Sequence, residues 1–260
     1  LRQIEARGRL ETARRLRSVI GEVFRYAIAT SRAVNDPTFA LRGALTTPKV
    51  QHRPAIVEPV ALGGLMRAVD DYQGAPEVCI ALQLLALLFT RPGELRLARW
   101  AEFDLESEQP TWTVPAARMK MGVDHLVPLS RQAVEVLKAL RPLTGDRELL
   151  FPNERRPREP ISENTILYAI YRMGFHKRMT GHGFRGVAST LLHEMGFDHA
   201  HIELQLAHQE RNEVSAAYNH ATYLKQRAKM MQHWSDYLDA CKEEKVLPFK
   251  RTAAPSPPYM

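Results

Sequence analysis

Between Cys79 and Phe89 the chain reads Cys-Ile-Ala-Leu-Gln-Leu-Leu-Ala-Leu-Leu-Phe, broken only by Gln83. A helix built on this run is apolar on nearly all sides, so other elements must cover it all round. It is too short to cross a bilayer, and a buried core helix is the reading it supports. A chain of 260 residues with 45% hydrophobic residues can supply that cover, as one large domain or two unequal ones.

The flanking segments say what does the covering. From Leu10 to Ile28, apolar residues recur at threes and fours through Ala13, Leu16, Ile20, Val23, Phe24 and Ala27, while Arg14, Arg15, Arg17 and Arg25 occupy the opposite face. Asn35-Asp36-Pro37 ends that helix, and the aperiodic stretch from Thr46 to Pro54, with two prolines, reads as an interdomain linker. Helices are expected over Pro59–Tyr72 and Pro76–Phe89, and Pro92 restricts Arg91 to an extended backbone at the mouth of the second. Thr111–Val114 and His125–Leu129 are strand-like, with Lys120 near the tip of the hairpin between them. Ser130 reads as the N-cap of a helix to about Leu140, and Ser162 as the cap of another reaching Met173. Gly183–Met195 is a helical pattern closed by Gly196, and Asp198 caps the helix that carries His208 near its end. A last helix, Tyr223–Ala240, places Leu224, Met231, Trp234 and Leu238 on one stripe, and the Pro-rich tail is expected to be disordered. The fold class is therefore mainly α with a small antiparallel β-sheet (α+β). Its expected parts are a helical piece at 1–45, a linker at 46–55, a main domain at 56–245 and a tail at 246–260.

The formal net charge is +7, and it is unevenly placed. Residues 1–53 hold eleven Lys or Arg against four Asp or Glu, and the remainder holds 25 of each. A basic module on a neutral body suits long-range attraction to a polyanion; a solubilising charged helix explains the same numbers. The first 20 residues mix Arg, Glu and Leu rather than forming a secretory leader, and two cysteines fit a reducing compartment. No phosphate-binding Gly-rich loop, dinucleotide fingerprint or Gly-x-Ser-x-Gly elbow occurs. His193, His199, His201 and His208 invite a metal reading, but the His-Glu-x-x-His pattern is missing, so neither metal nor cofactor is expected.

The chemistry-bearing residues form an ordered set: Arg91 in Thr-Arg-Pro-Gly-Glu94, Lys120, His182-Gly-Phe-Arg185, His208 in Leu-Ala-His, and Tyr218 in Ala-Ala-Tyr-Asn. Two guanidiniums can hold a phosphodiester, a lysine and histidines can move protons, and a phenol can attack phosphorus. Each residue alone has a plainer explanation. Arg91 can simply pair with Glu94, Lys120 can be a turn lysine, His208 an interior histidine and Tyr218 a core or rim tyrosine. On an unbroken helix His208 and Tyr218 stand about 15 Å apart, so they share a phosphate only if the polar segment Gln209–Asn212 turns the chain. Tyr223 is the rival nucleophile, although its place at the start of the last helix suits anchoring better.

Taken together, these motifs resemble the catalytic signature of tyrosine recombinases, and most closely the prophage and genomic-island integrases. The resemblance implies a tyrosine-recombinase catalytic domain over 56–245, preceded by the C-terminal part of a helical DNA core-binding domain at 1–45 that contacts DNA through Arg14, Arg15, Arg17 and Arg25. It implies site-specific cleavage and rejoining of DNA through a 3′-phosphotyrosine. By that resemblance Tyr218 would attack, Arg91 and Arg185 would clamp the non-bridging oxygens, Lys120 would protonate the leaving oxygen, His182 would serve the tyrosine as acid and base, His208 would bond the phosphate, and Glu94 would orient its neighbours. It further implies double-stranded attachment sites, a tetramer on DNA, bending and excision accessory proteins, no membrane, and a bacterial cytoplasmic, nucleoid-associated location. A type IB topoisomerase-like relaxing enzyme and a non-cleaving DNA-binding regulator on the same fold are the alternatives, with a zinc hydrolase more distant.

Overall fold

The helical spacing at the start of the chain folds as α1 (Arg2–Ala6) and α2 (Leu10–Ala29). The computed structural model describes residues 1–48, 55–119, 122–208 and 222–244, and the chain divides into two compact units, Leu1–His52 and Arg53–Met260. In the first unit the packed side of α2 is not the one its apolar spacing suggests. Ala13 and Gly21 are buried, whereas Leu16 and Val23 are 38% and 61% exposed. The reason is the segment that follows. Asp36 Oδ1 accepts from the Thr38 amide and hydroxyl at 2.8 and 2.7 Å, turning the chain over the small residue Gly21. Arg17, expected on the outer face, is half-buried and donates from Nη1 to the Leu41 carbonyl at 3.1 Å. Arg14, Arg15 and Arg25 are exposed, with Arg15 paired to Glu11 at 3.0 Å.

The second unit is built around the apolar run. Glu58 caps α3 (Pro59–Asp70) by accepting from Val60 N and Ala61 N at 3.1 and 2.7 Å. The apolar run forms α4 (Pro76–Leu88), with Leu82, Leu84, Leu85 and Leu88 at most 1% exposed. After α5 (Pro92–Arg96) comes an antiparallel sheet in the order β1 (Phe103–Asp104), β2 (Thr111–Val114), β3 (His125–Pro128), with Trp112 opposite Val127. The two-residue β1 carries too short a pattern to be anticipated. Around α4 pack α3, α5, α6 (Arg131–Thr144), α7 (Thr165–Ile170), α8 (Gly183–Glu194) and the last helix. Between α8 and that helix lies α9 (His199–Gln205), and the last helix is α10 (Leu224–Lys242).

Trp234 of α10 donates from its indole to the Ala86 carbonyl at 2.9 Å and meets the Phe89 ring edge-on at 6.1 Å, which locks α10 onto α4. Where α3 passes α10, only a glycine fits at Gly63, because a Cβ there would strike the Cys241 carbonyl.

One cap and two helix ends differ from expectation. Ser162 uses its hydroxyl and carbonyl in a local turn with Asn164 N and Thr165 N at 3.4 and 3.0 Å, so α7 starts after Asn164. That helix ends early too, running into a wider π turn over Tyr171–Phe175 where Gly174 takes φ 87°. Ser130 does cap α6, accepting from Ala133 N at 3.3 Å, and α6 continues past Leu140 to Thr144. Asp198 caps α9 through Ala200 N at 2.8 Å, but α9 stops at Gln205, so His208 lies beyond the helix rather than near its end within it. The expected tail at 246–260 lies outside the described residues. Among the described residues no helix is long and apolar enough to cross a membrane.

Candidate active site

Three chain breaks build the site. The first is the end of α4. Phe89 adopts the left-handed region at φ 40° and its amide still bonds the Leu85 carbonyl at 3.0 Å. For an aromatic residue this conformation costs about 1–2 kcal/mol, and its buried ring against Trp234 holds it in place. The turn aims the Phe89 carbonyl at Arg185, whose Nη1 donates to it at 3.0 Å.

The second break is Arg91 before Pro92. Arg91 is extended, at φ −67° and ψ 136°, as a residue preceding proline should be. Glu94, three residues on, accepts from Arg91 N at 2.9 Å and from Arg91 Nη1 at 2.6 Å. One buried carboxylate thus caps α5 and fixes the guanidinium, so the plain pairing of Arg91 with Glu94 is present and is part of the site's geometry.

The third break is the end of α9. Ala207 takes φ 48°. The amides of Ala207 and His208 bond back to the carbonyls of Leu204 and Glu203, both at 3.0 Å, closing the helix with an alanine where glycine is usual. This leaves the Leu206 and Ala207 carbonyls pointing away from the helix end. Arg185 Nη2 donates to Leu206 O at 2.6 Å, and Arg91 Nη2 donates to Ala207 O at 3.0 Å.

His208 completes the group. Its Nε2 lies 3.2 Å from Arg185 Nη2 and its Nδ1 lies 3.0 Å from Glu203 Oε2. A guanidinium nitrogen only donates, so Nε2 carries the lone pair and the proton sits on Nδ1, donated to Glu203. Arg185 is 9% exposed, and burial first, then the nearby Arg91 charge, pull its pKa down to about 10, with Glu94 and Glu203 opposing that fall. It remains a full cation at neutral pH.

His182 is the N-cap of α8 in a helical backbone conformation and its side chain makes no capping bond; the Gly183 amide goes instead to the Thr180 carbonyl and hydroxyl at 2.8 and 3.1 Å. The His182 side chain is exposed, on a cleft of about 760 Å³ whose lining includes Arg91, Glu94, Arg118, Tyr171 and Thr180. Arg185, three residues along, turns inward to the carbonyl groups instead. The described residues therefore bring together Arg91, Glu94, Arg185 and His208, with His182 and Arg91 on the same cleft. Lys120, Tyr218 and the polar break Gln209–Asn212 lie outside the described residues. Tyr223, the rival nucleophile, is half-buried with its ring 4.8 Å from that of His201 at the start of α10, which is an anchor's position.

Sequence reasoning missed Glu203, the three backbone carbonyls and Arg118. Glu203 precedes His208 by five residues, a spacing that brings the two side chains together only because α9 has ended. Arg118 pairs with Glu102 and donates to the Leu97 carbonyl on the same cleft. Of the histidines that invited a metal reading, His193 Nε2 lies 3.0 Å from His199 Nδ1, and among the described residues no group of three potential ligands is placed to hold a metal.

Residues 62–225 match the model of the phage integrase family, and residues 1–44 match that of the phage integrase central domain. The chain belongs to the phage integrase family. It is 40% identical over 237 residues to the prophage integrase IntA of Escherichia coli (strain K12), covering 91% of this chain and 57% of that protein. It is also 40% identical over 256 residues to the integrase of Enterobacteria phage P4, covering 92% of this chain and 57% of that protein. The chain thus spans little more than half the length of these curated relatives. Among solved structures, a lambda integrase tetramer bound to a Holliday junction shares the fold with a TM-score of 0.60 at 19% identity, covering 82% of this chain and 61% of that one. The mainly helical unit with its small antiparallel sheet has the fold of these integrase structures.

Proposed function

We propose that this chain is the cleaving and rejoining part of a site-specific DNA recombinase, an integrase that moves a mobile element through a 3′-phosphotyrosine on Tyr218. The observation that carries the reading is the convergence of Arg91, Arg185 and His208 on the single turn that ends α9. Two guanidiniums held side by side on neutral carbonyls are preorganised for the non-bridging oxygens of one phosphodiester, and preorganisation is what electrostatic catalysis requires.

In this reading the Tyr218 hydroxyl attacks phosphorus as its proton leaves, with His182 as the base. The P–O bond to the 5′ oxygen breaks, and Lys120 gives that oxygen its proton. The energy of the broken bond stays in the phosphotyrosine, so a second 5′-hydroxyl can reseal the strand without a nucleotide cofactor. His208 hydrogen-bonds the phosphate through Nε2, which lies beside Arg185, while Glu203 holds the ring from its Nδ1 side. Glu94 orients Arg91.

Residues 1–45 serve as the end of a DNA core-binding domain, joined through a linker at 46–55 to a catalytic domain at 56–245. Arg14, Arg15 and Arg25 bind backbone phosphates, and Arg17 contributes through the loop it holds. The assembly is a tetramer on two duplex attachment sites, aided by bending and excision proteins, in the bacterial cytoplasm at the nucleoid.

A nicked suicide duplex tests the reading. Cleavage there releases a short fragment, religation fails, and the protein stays covalently joined to the 3′ end. A non-cleaving regulator binds the same duplex and never becomes trapped. A type IB-like enzyme relaxes supercoiled plasmid of any sequence, whereas a recombinase is trapped only on its own site.

A further inference from the structure

Arg227 lies on the first turn of α10 and is 3% exposed. Its Nη2 donates to the Leu126 carbonyl of β3 at 2.6 Å and to Gln205 Oε1 at 2.7 Å. Nε also reaches Gln205 Oε1 at 3.2 Å, and Nη1 reaches the Thr222 carbonyl at 3.3 Å. Every one of these acceptors is neutral, and among the described residues Arg227 forms no ion pair. A buried guanidinium without a carboxylate is expensive, and burial alone pulls its pKa down to about 10. If stability were the only demand, an apolar side chain of similar size would meet it at less cost.

What Arg227 holds explains its presence. Gln205 is fully buried and is the last residue of α9, immediately before Leu206 and Ala207. Its side chain is gripped by the Arg227 fork, which also reaches the Leu126 carbonyl of β3. The helix end is thereby fixed to the sheet through Arg227, one residue before the carbonyls that seat Arg185 and Arg91. The guanidinium fork suits this task because it spans acceptors on β3, on α9 and at the start of α10 at once, which a lysine ammonium cannot do with the same geometry.

We propose that Arg227 is a positioning residue for DNA cleavage: by tying Gln205 to the Leu126 carbonyl it sets where the turn after α9 presents Leu206 and Ala207 to the two clamp arginines. This rests on the assignment of Arg91 and Arg185 to the scissile phosphate. Arg227 itself does not touch the phosphate; it acts through the two residues that do. Displacement of the turn leaves both guanidiniums present but misaligned, so the loss falls on charge stabilisation rather than on DNA affinity.

The test uses Arg227→Lys and Gln205→Met in the full chain, with single-turnover cleavage of a suicide duplex that the wild-type protein cleaves. The scissile group is made either as the normal phosphodiester or as a methylphosphonate, which carries no negative charge and so demands less of the clamp. On the phosphodiester both variants are expected to cleave at least about tenfold more slowly, with DNA affinity within about threefold of wild type. On the methylphosphonate the loss is expected to shrink to within about threefold. Equal losses on the two substrates mean general damage and overturn the proposal, as do wild-type rates on the phosphodiester. If Arg227→Lys does not fold, Gln205→Met reads the same quantity, since it leaves Arg227 its Leu126 and Thr222 acceptors. Failure of the wild-type protein to form any covalent adduct counts against the recombinase reading itself and is seen before either variant is measured.

Discussion

Arg91 and Arg185 donate to consecutive carbonyls, Arg91 Nη2 to Ala207 at 3.0 Å and Arg185 Nη2 to Leu206 at 2.6 Å. The end of a helix is the negative pole of its dipole, and its last carbonyls lack partners within the helix. Two like charges can therefore sit side by side there. Glu94 and Glu203 flank the pair and moderate the repulsion.

Arg185→Lys tests how much the fork geometry matters. A single ammonium cannot reproduce bonds to Phe89 O, Leu206 O and His208 together. The substitution is expected to cost about 2–4 kcal/mol in urea denaturation and to slow single-turnover cleavage by about a hundredfold or more, with duplex affinity within a few-fold of wild type. Cleavage at the wild-type rate would remove Arg185 from the clamp.

The strained alanine offers a gain instead of a loss. Ala207 sits at φ 48°, where glycine carries no Cβ penalty, so Ala207→Gly is expected to raise unfolding stability by about 0.5–1 kcal/mol. Ala207→Val is expected to lower it by more than that. A destabilised glycine variant in the same denaturation series would show that the left-handed turn is not what the chain maintains here.

His125 predicts a pH dependence. It is buried, and burial first, then the Arg227 charge, hold its pKa down at about 3 instead of 6.5. Between those values the unfolded chain takes up a proton that the folded protein does not. Stability is therefore complete above about pH 6.5 and declines as the pH falls toward 3, by on the order of 5 kcal/mol in all. Comparing denaturation at about pH 5 and about pH 7.5, His125→Asn should lose most of this slope relative to wild type. An unchanged slope would place the acid sensitivity elsewhere.

Much of this was legible in the sequence, and the reasons are local. The apolar run could only be a central helix, Pro92 fixed Arg91 at its mouth, and Asp198 announced α9. The remainder depends on segments distant in sequence meeting in the fold. No spacing rule reveals that Phe89 and Ala207 leave their helices through left-handed turns, yet those turns aim the carbonyls that orient Arg91 and Arg185. Arg17 misled for a related reason: the Asx turn at Asp36 covers Gly21, so the packed side of α2 follows small residues rather than large apolar ones. Glu203 and Arg227 look like ordinary helix-surface charges until α9 is seen to end beside β3.

The basic first unit predicts salt-dependent binding. Replacing Arg14 and Arg25, both exposed, by Gln is expected to weaken duplex binding uniformly across sequences and to reduce the log–log salt slope by about one for each phosphate no longer neutralised. A slope unchanged by the double substitution would assign these arginines to solubility.

The most direct measurement is to trap the protein on a suicide duplex, digest it, and identify by mass spectrometry the residue joined to the 3′ phosphate. A single adduct on Tyr218 is expected, with Tyr218→Phe binding DNA normally and never becoming trapped, and with Tyr223→Phe trapped as wild type. An adduct on Tyr223, or undiminished trapping of the Tyr218→Phe protein, would contradict it.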